Sequence, residues 1–128
     1  MESSLSSVRH PNMRAEVVVA VQSLADPAYQ QRVWLRHKYP HDGFYDDFTQ
    51  NVNILFDDTG VLPDPASAVG DILHRSEVDP MAALSNVLDP LINELCDATD
   101  SQYIDHPQWP HIVRASQVAY AALITNNH

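Results

Sequence analysis

Residues 37 to 48, His-Lys-Tyr-Pro-His-Asp-Gly-Phe-Tyr-Asp-Asp-Phe, gather two histidines, three aspartates and two tyrosines into twelve positions. Imidazole with carboxylate is the donor chemistry of zinc sites. His37 and His41 stand at i, i+4, the spacing that puts two side chains on one face of a helix. Pro40 lies between them and disfavours that helix. The competing description is a hinge loop whose rings pack and whose polar groups stay wet, so no residue is assigned as a metal ligand, and a small His/Asp metal enzyme stands only as an alternative. Adjacent carboxylates occur at Asp46-Asp47 and Asp57-Asp58. Neighbours on a helix point about 100° apart, so each pair is better described as two solvated charges than as a shared-proton or cation site. There is no Gly-x-Ser-x-Gly, no His-Glu-x-x-His and no Gly-rich phosphate loop, the last being nearly impossible with three glycines in the chain. No catalytic, cofactor-binding or metal-binding residue is expected, and the chain is not expected to be an enzyme.

The carboxylates matter collectively. Seventeen acids against seven Lys and Arg give a net charge of −10, and the distribution is uneven. Residues 1–41 hold five of the basic side chains (Arg9, Arg14, Arg32, Arg36 and Lys38) and three acids, whereas residues 42–128 hold two basics and fourteen acids. The field of the second part repels phosphate backbones and anionic membranes and attracts basic protein surfaces. Solubility alone is the simplest use of such charge. If residues 45–58 form a helix, Asp46 and Asp47 suit its N-terminus, where the dipole favours anions, while Asp57 and Asp58 sit at the unfavourable end. Asp42, Asp46, Asp47, Asp57 and Asp58 are therefore the candidate partner-binding residues.

The elements that position these residues follow from apolar spacing and from Asp-Pro punctuation. Met13, Val17, Val18, Val21 and Leu24 predict a helix over 11–25 with Pro11 in its first turn. Asp-Pro occurs at 26–27, 64–65, 79–80 and 89–90; Asp is a good N-cap and Pro fits the next position. The pairs predict a helix from Pro27 to about His37, a short one carrying Val69, Ile72 and Leu73, and a long one whose Met81, Leu84, Leu88, Leu91 and Leu95 form a core-facing stripe. Pro90 should kink that stripe or restart it with Asp89 as cap. Val52, Ile54 and Phe56 alternate as a strand would, but Phe44, Phe48, Val52, Leu55 and Phe56 keep helical spacing over a longer window, and Gly60 makes a C-terminal stop. A closing helix carries Ile112, Val113, Ser116, Ala119, Tyr120 and Leu123. Trp34 and Trp109 are expected in the core.

The expected fold is all-α: an irregular single-domain bundle of about six helices over residues 11–128, preceded by a flexible tail over residues 1–10. One domain of this length can bury a working core. The longest apolar run, Val17 to Val21, is far short of a membrane span, so no membrane association is expected. The lone cysteine, Cys96, excludes an internal disulfide framework, fits a reducing cytoplasm, and is expected as a small buried hydrophobe on a helix.

Four segments, residues 26–34 (Asp-Pro-Ala-Tyr-Gln-Gln-Arg-Val-Trp), 44–48 (Phe-Tyr-Asp-Asp-Phe), 55–60 (Leu-Phe-Asp-Asp-Thr-Gly) and 101–110 (Ser-Gln-Tyr-Ile-Asp-His-Pro-Gln-Trp-Pro), resemble an uncharacterised actinobacterial family of small acidic helical proteins over about residues 11–124. More distantly, the layout and the Phe56-Asp57-Asp58 run resemble helical immunity proteins of contact-dependent growth inhibition systems. That resemblance implies a cytoplasmic protein that binds and blocks a cognate toxin domain, and the acidic field, which disfavours direct nucleic-acid contact, suits a basic, nuclease-like one. A structural or regulatory subunit with an apolar interface, homodimeric or not, remains the alternative.

Overall fold

Pro11 opens the first helix, α1 (Pro11–Leu24), at the position where a missing amide costs nothing. Its stripe of Val17, Ala20, Val21 and Leu24 is fully buried. The computed structural model describes residues 8–126, so most of the tail expected over residues 1–10 lies outside the described residues. Its last two residues are held rather than loose: the amides of Arg9 and His10 donate to the carbonyls of Gly70 and Asp71 at 3.0 and 2.7 Å. Five more helices follow. They are α2 (Pro27–Tyr29, widened into π-helical turns over Gln30–Leu35), α3 (Phe48–Asn53, widened likewise over Ile54–Asp58), α4 (Val78–Leu95), α5 (Asp100–Ile104) and α6 (Trp109–Thr125). No strand occurs among the described residues; Val69 and Leu73 form one isolated bridge. The central segment is thus helix, as its longer apolar period requires, and Gly60 lies just beyond its end with a left-handed φ of 65°.

The last helix is the hub. α6 packs against both α1 and α4 and contributes Trp109, Ile112, Val113, Ala119 and Leu123 to one continuous core. From α4 come Met81, Leu84, Leu88 and Leu91, the predicted stripe. Each buried Leu contributes about 1.5–3 kcal/mol relative to exposure. Both tryptophans are interior and meet edge to face, with ring centroids 6.3 Å apart.

Punctuation misleads in the middle of the chain. After Asp64-Pro65 only a four-residue 3-10 turn forms (Pro65–Ala68), because Val69 is extended and Gly70 adopts φ 89°. The long helix starts before Asp79-Pro80: a 3-10 turn over Arg75–Glu77 runs into Val78, which leaves Pro80 at the third helical position, where its amide is still not needed. α4 continues through Pro90 without a restart, so Asp89 is not a cap. Asn86, whose carbonyl Pro90 cannot serve, is exposed to water. Cys96 is exposed, not buried. It stands one residue past α4 with φ 50°, the conformation that ends the helix. α5 was not anticipated, although its Thr99-x-x-Gln102 capping box is legible: the Thr99 amide donates to Gln102 Oε1 at 2.8 Å, and the Gln102 amide to the Thr99 hydroxyl at 3.3 Å.

Among the described residues one ion pair is buried. Arg14 on α1 donates to both oxygens of Glu77 at 2.8 and 2.7 Å, and to the carbonyls of Ile72 and Leu123 at 3.1 Å each. Glu77 also accepts from the His74 amide at 2.9 Å and the Asn126 side chain at 2.8 Å. Burial pushes the Glu77 carboxyl up, but Arg14 and these donors outweigh it and hold it below the usual carboxylate value.

Candidate functional site

The acidic segment 42–58 follows α2 across a short loop. The helix stops at Leu35; His37 takes φ 55°, and the chain turns into a loop that runs to Asp47. Rings organise this loop. His37 stacks on Tyr39 at 5.8 Å, Tyr39 meets Phe44 and Tyr45 at 5.9 Å each, and His41 meets Phe44 edge on at 5.6 Å. The two histidines therefore lie off any common helix, against different rings. Among the described residues no group of three or more His, Cys, Asp or Glu is placed to hold a metal ion.

Asp46 anchors the loop from inside. It is 8% exposed. One oxygen accepts from the Tyr29 hydroxyl at 2.7 Å and from Trp34 Nε1 at 2.9 Å, and the other from Asn51 Nδ2 at 2.8 Å. Three neutral donors from α2 and α3 thus surround a buried carboxylate. Of the five aspartates expected to face a partner, Asp46 is the one that turns inward, because Tyr29 and Trp34 present donors that only an acceptor can satisfy. Burial and the neighbouring Asp46 charge both push the Tyr29 phenol up, so it remains a donor.

Asp47, next in sequence, has a different task. It is half-buried and caps α3, with Oδ1 accepting from the Gln50 amide at 2.7 Å while Oδ2 accepts from the Tyr45 hydroxyl. That bond pushes the exposed Tyr45 phenol up to about 12. Asp100, at the start of α5, accepts from the Phe48 amide at 3.2 Å. Burial, with Asp47 and Asp46 close by, raises its carboxyl above the usual value despite that bond. Asp100 belongs to the same neighbourhood, and its place fifty residues downstream hid it from sequence reasoning.

Asp42, Asp57 and Asp58 are exposed and form no ion pair among the described residues. Asp57 and Asp58 close α3, whose last turn is satisfied by the Thr59 amide and hydroxyl donating to the Ile54 carbonyl at 3.0 and 2.6 Å. Ten steps from Phe48 to Asp58, several of them in π-helical turns of shorter rise, put the two ends of α3 at most about 15 Å apart. The five aspartates are thus not one cluster. They divide into a buried anchor, a cap, a loop charge and an exposed pair at the negative end of a helix.

Beside the loop lies an open groove of about 290 Å³, lined by Val19, Gln22 and Ser23 of α1, Asp26 and Tyr29 at the start of α2, and Pro40 and Phe44 of the loop. No helix among the described residues is long and apolar enough to cross a membrane.

Comparison with known proteins gives one assignment. A family model described as Domain of unknown function (DUF7945) matches residues 8–128, nearly the whole chain, and the chain belongs to that family. No curated protein and no solved structure matches it significantly.

Proposed function

We propose that this member of the DUF7945 family is an acidic protein-binding module of the cytoplasm, an immunity protein that neutralises a basic, nuclease-like toxin domain. The observation that carries the proposal is the exposed Asp57-Asp58 pair at the C-terminal end of α3. Two anions sit where the helix dipole disfavours them, with no ion-pair partner among the described residues. An incoming cation relieves both repulsions together. Asp42 extends the same charge along the loop, and Asp47 adds to it from its capping position. The net charge of −10 steers a basic partner from a distance and rejects nucleic acid, so the module would compete with nucleic acid for a toxin's substrate groove.

The test is capture of partners from the native cytosol on tagged full-length protein at about 50 mM and about 500 mM salt, with identification by mass spectrometry. A basic partner retained at low salt and lost at high salt is expected. Asp57→Lys/Asp58→Lys should lose it at both. Capture that is indifferent to salt and to the double reversal would overturn the proposal. The rival reading, a subunit with an apolar interface, draws on the exposed Val118 and Ile124 of α6 and predicts a concentration-dependent dimer in sedimentation experiments.

A further inference from the structure

The groove beside the aromatic loop has a chemistry of its own. Its polar groups are largely occupied within the chain. The Ser23 hydroxyl donates to the Val19 carbonyl at 3.0 Å, Asp26 Oδ1 accepts from the Tyr29 amide at 3.1 Å, and the Tyr29 hydroxyl is committed to Asp46. What remains open is mostly carbon: the Val19 side chain, 57% exposed, with the rings of Tyr29, Pro40 and Phe44. A single exposed Val on a helix needs no explanation. Three rings bordering the same groove make it an anchor site. At about 290 Å³ it lies at the small end of ligand sites, roughly 300 Å³ and upward, with room for one large side chain.

Charge specifies what accompanies that side chain. Asp26 is the one charged residue lining the groove, and its capping bond leaves the negative charge in place. Asp42 lies two residues before Phe44 and is exposed. Arg32 is drawn over the Tyr29 ring, 5.8 Å from its centroid, and does not line the groove. Building on the acidic-module reading above, we infer that this groove receives one large apolar side chain of the basic partner protein, with an adjacent Lys or Arg meeting Asp26. Asp57 and Asp58 would then govern encounter, and Val19, Tyr29 and Phe44 would govern how long the complex lasts.

The groove can be tested without the partner. Three indoles are titrated into the full-length protein and followed at the Val19 methyls by NMR: cationic tryptophanamide, neutral indole-3-acetamide and anionic indole-3-acetate. Saturable shifts at Val19 are expected, with the cation bound about fivefold more tightly than the neutral probe and the anion most weakly. Asp26→Asn, which retains a capping side chain, should level that order, and Val19→Asn should abolish the shifts that the natural chain shows at the Phe44 ring protons of the same groove. Absence of shifts at Val19, or a preference for the anion, overturns the inference. In the capture experiment, the neutral Val19→Asn should shorten the lifetime of the complex about tenfold or more without changing its salt dependence. A partner held as long by Val19→Asn as by the natural chain overturns the groove and leaves the acidic module standing. Absence of any basic partner removes the acidic module, and the inferred occupant with it, while the indole titration still reports whether the groove selects apolar cations.

Discussion

Glu77 and Asp46 are both buried carboxylates, but their surroundings differ in kind. Glu77 faces a guanidinium that meets both its oxygens, so its charge is compensated by a charge. Asp46 faces a phenol, an indole and an amide, so its charge is spread over three neutral dipoles. The first arrangement joins α1 to the 3-10 turn before α4 and to the last turn of α6, and is a clasp of the whole fold. The second joins α2, the loop and α3, and organises one neighbourhood. A clasp should be costly to break from either side, whereas a neutral donor set should lose stability in steps, one donor at a time.

The largest effect is therefore expected from Arg14→Met, which leaves Glu77 buried without its counter-charge at a cost of about 3–5 kcal/mol. Thermal and urea unfolding measure this, and Arg14→Met/Glu77→Leu should recover most of the loss. If the double variant is as unstable as the single one, the clasp acts through packing and the contrast fails. Asp46→Ala should cost about 3 kcal/mol by stranding buried donors. Asp46→Asn, which keeps an acceptor oxygen, should cost less, and loss of Trp34 fluorescence anisotropy would report that the loop has loosened. Cys96→Gly should raise stability by about 1 kcal/mol, because glycine accepts the positive φ that ends α4.

Acid titration sharpens the contrast further. Glu77 has a folded pKa below its unfolded value near 4.5, so its contribution is fully present above that value and is lost as pH falls through the folded pKa. Asp100 runs the other way. Its folded pKa lies above 3.8, so the ionised form opposes folding at neutral pH, and protonation on acidification relieves the cost. Glu77→Gln should flatten the acid limb of a stability–pH profile measured by urea unfolding, while Asp100→Asn should raise the neutral plateau. The smallest effect belongs to Asp57→Lys/Asp58→Lys, which should stabilise the free protein by a few tenths of a kcal/mol through the helix dipole, seen as a slight rise in Tm.

The same contrast explains how much was legible beforehand. Wherever the pattern is periodic and local, structure follows it: the stripes of α1, α4 and α6 pack as their spacing requires, and Asp47 caps α3 as an aspartate before an apolar period should. The adjacent Asp46 and Asp47 show the limit. Their types are identical and their neighbours shared, yet one turns inward because donors at Tyr29 and Trp34 wait there, seventeen and twelve residues away in sequence. Arg14 was counted only as a charge, since its partner lies 63 residues on. Asp-Pro misled at Asp79-Pro80 for a related reason. A preceding 3-10 turn moved the start of the helix upstream, and proline is tolerated anywhere in the first turn, so the pair marks a neighbourhood rather than a boundary. Cys96 was misplaced because helical periodicity does not announce where a helix stops.

The hub position of α6 has a consequence for the order of synthesis. A chain made from its N-terminus produces α1 first and its principal partner last, with Leu123 accepting from Arg14 across 109 residues. Until α6 is made, the apolar face of α1 is covered only in part, by α3, and the contacts that close the core are of the slow, non-local kind. The core is therefore completed only once α6 is available. An interrupted translation product would be an exposed apolar chain for chaperones and proteases rather than a smaller working domain.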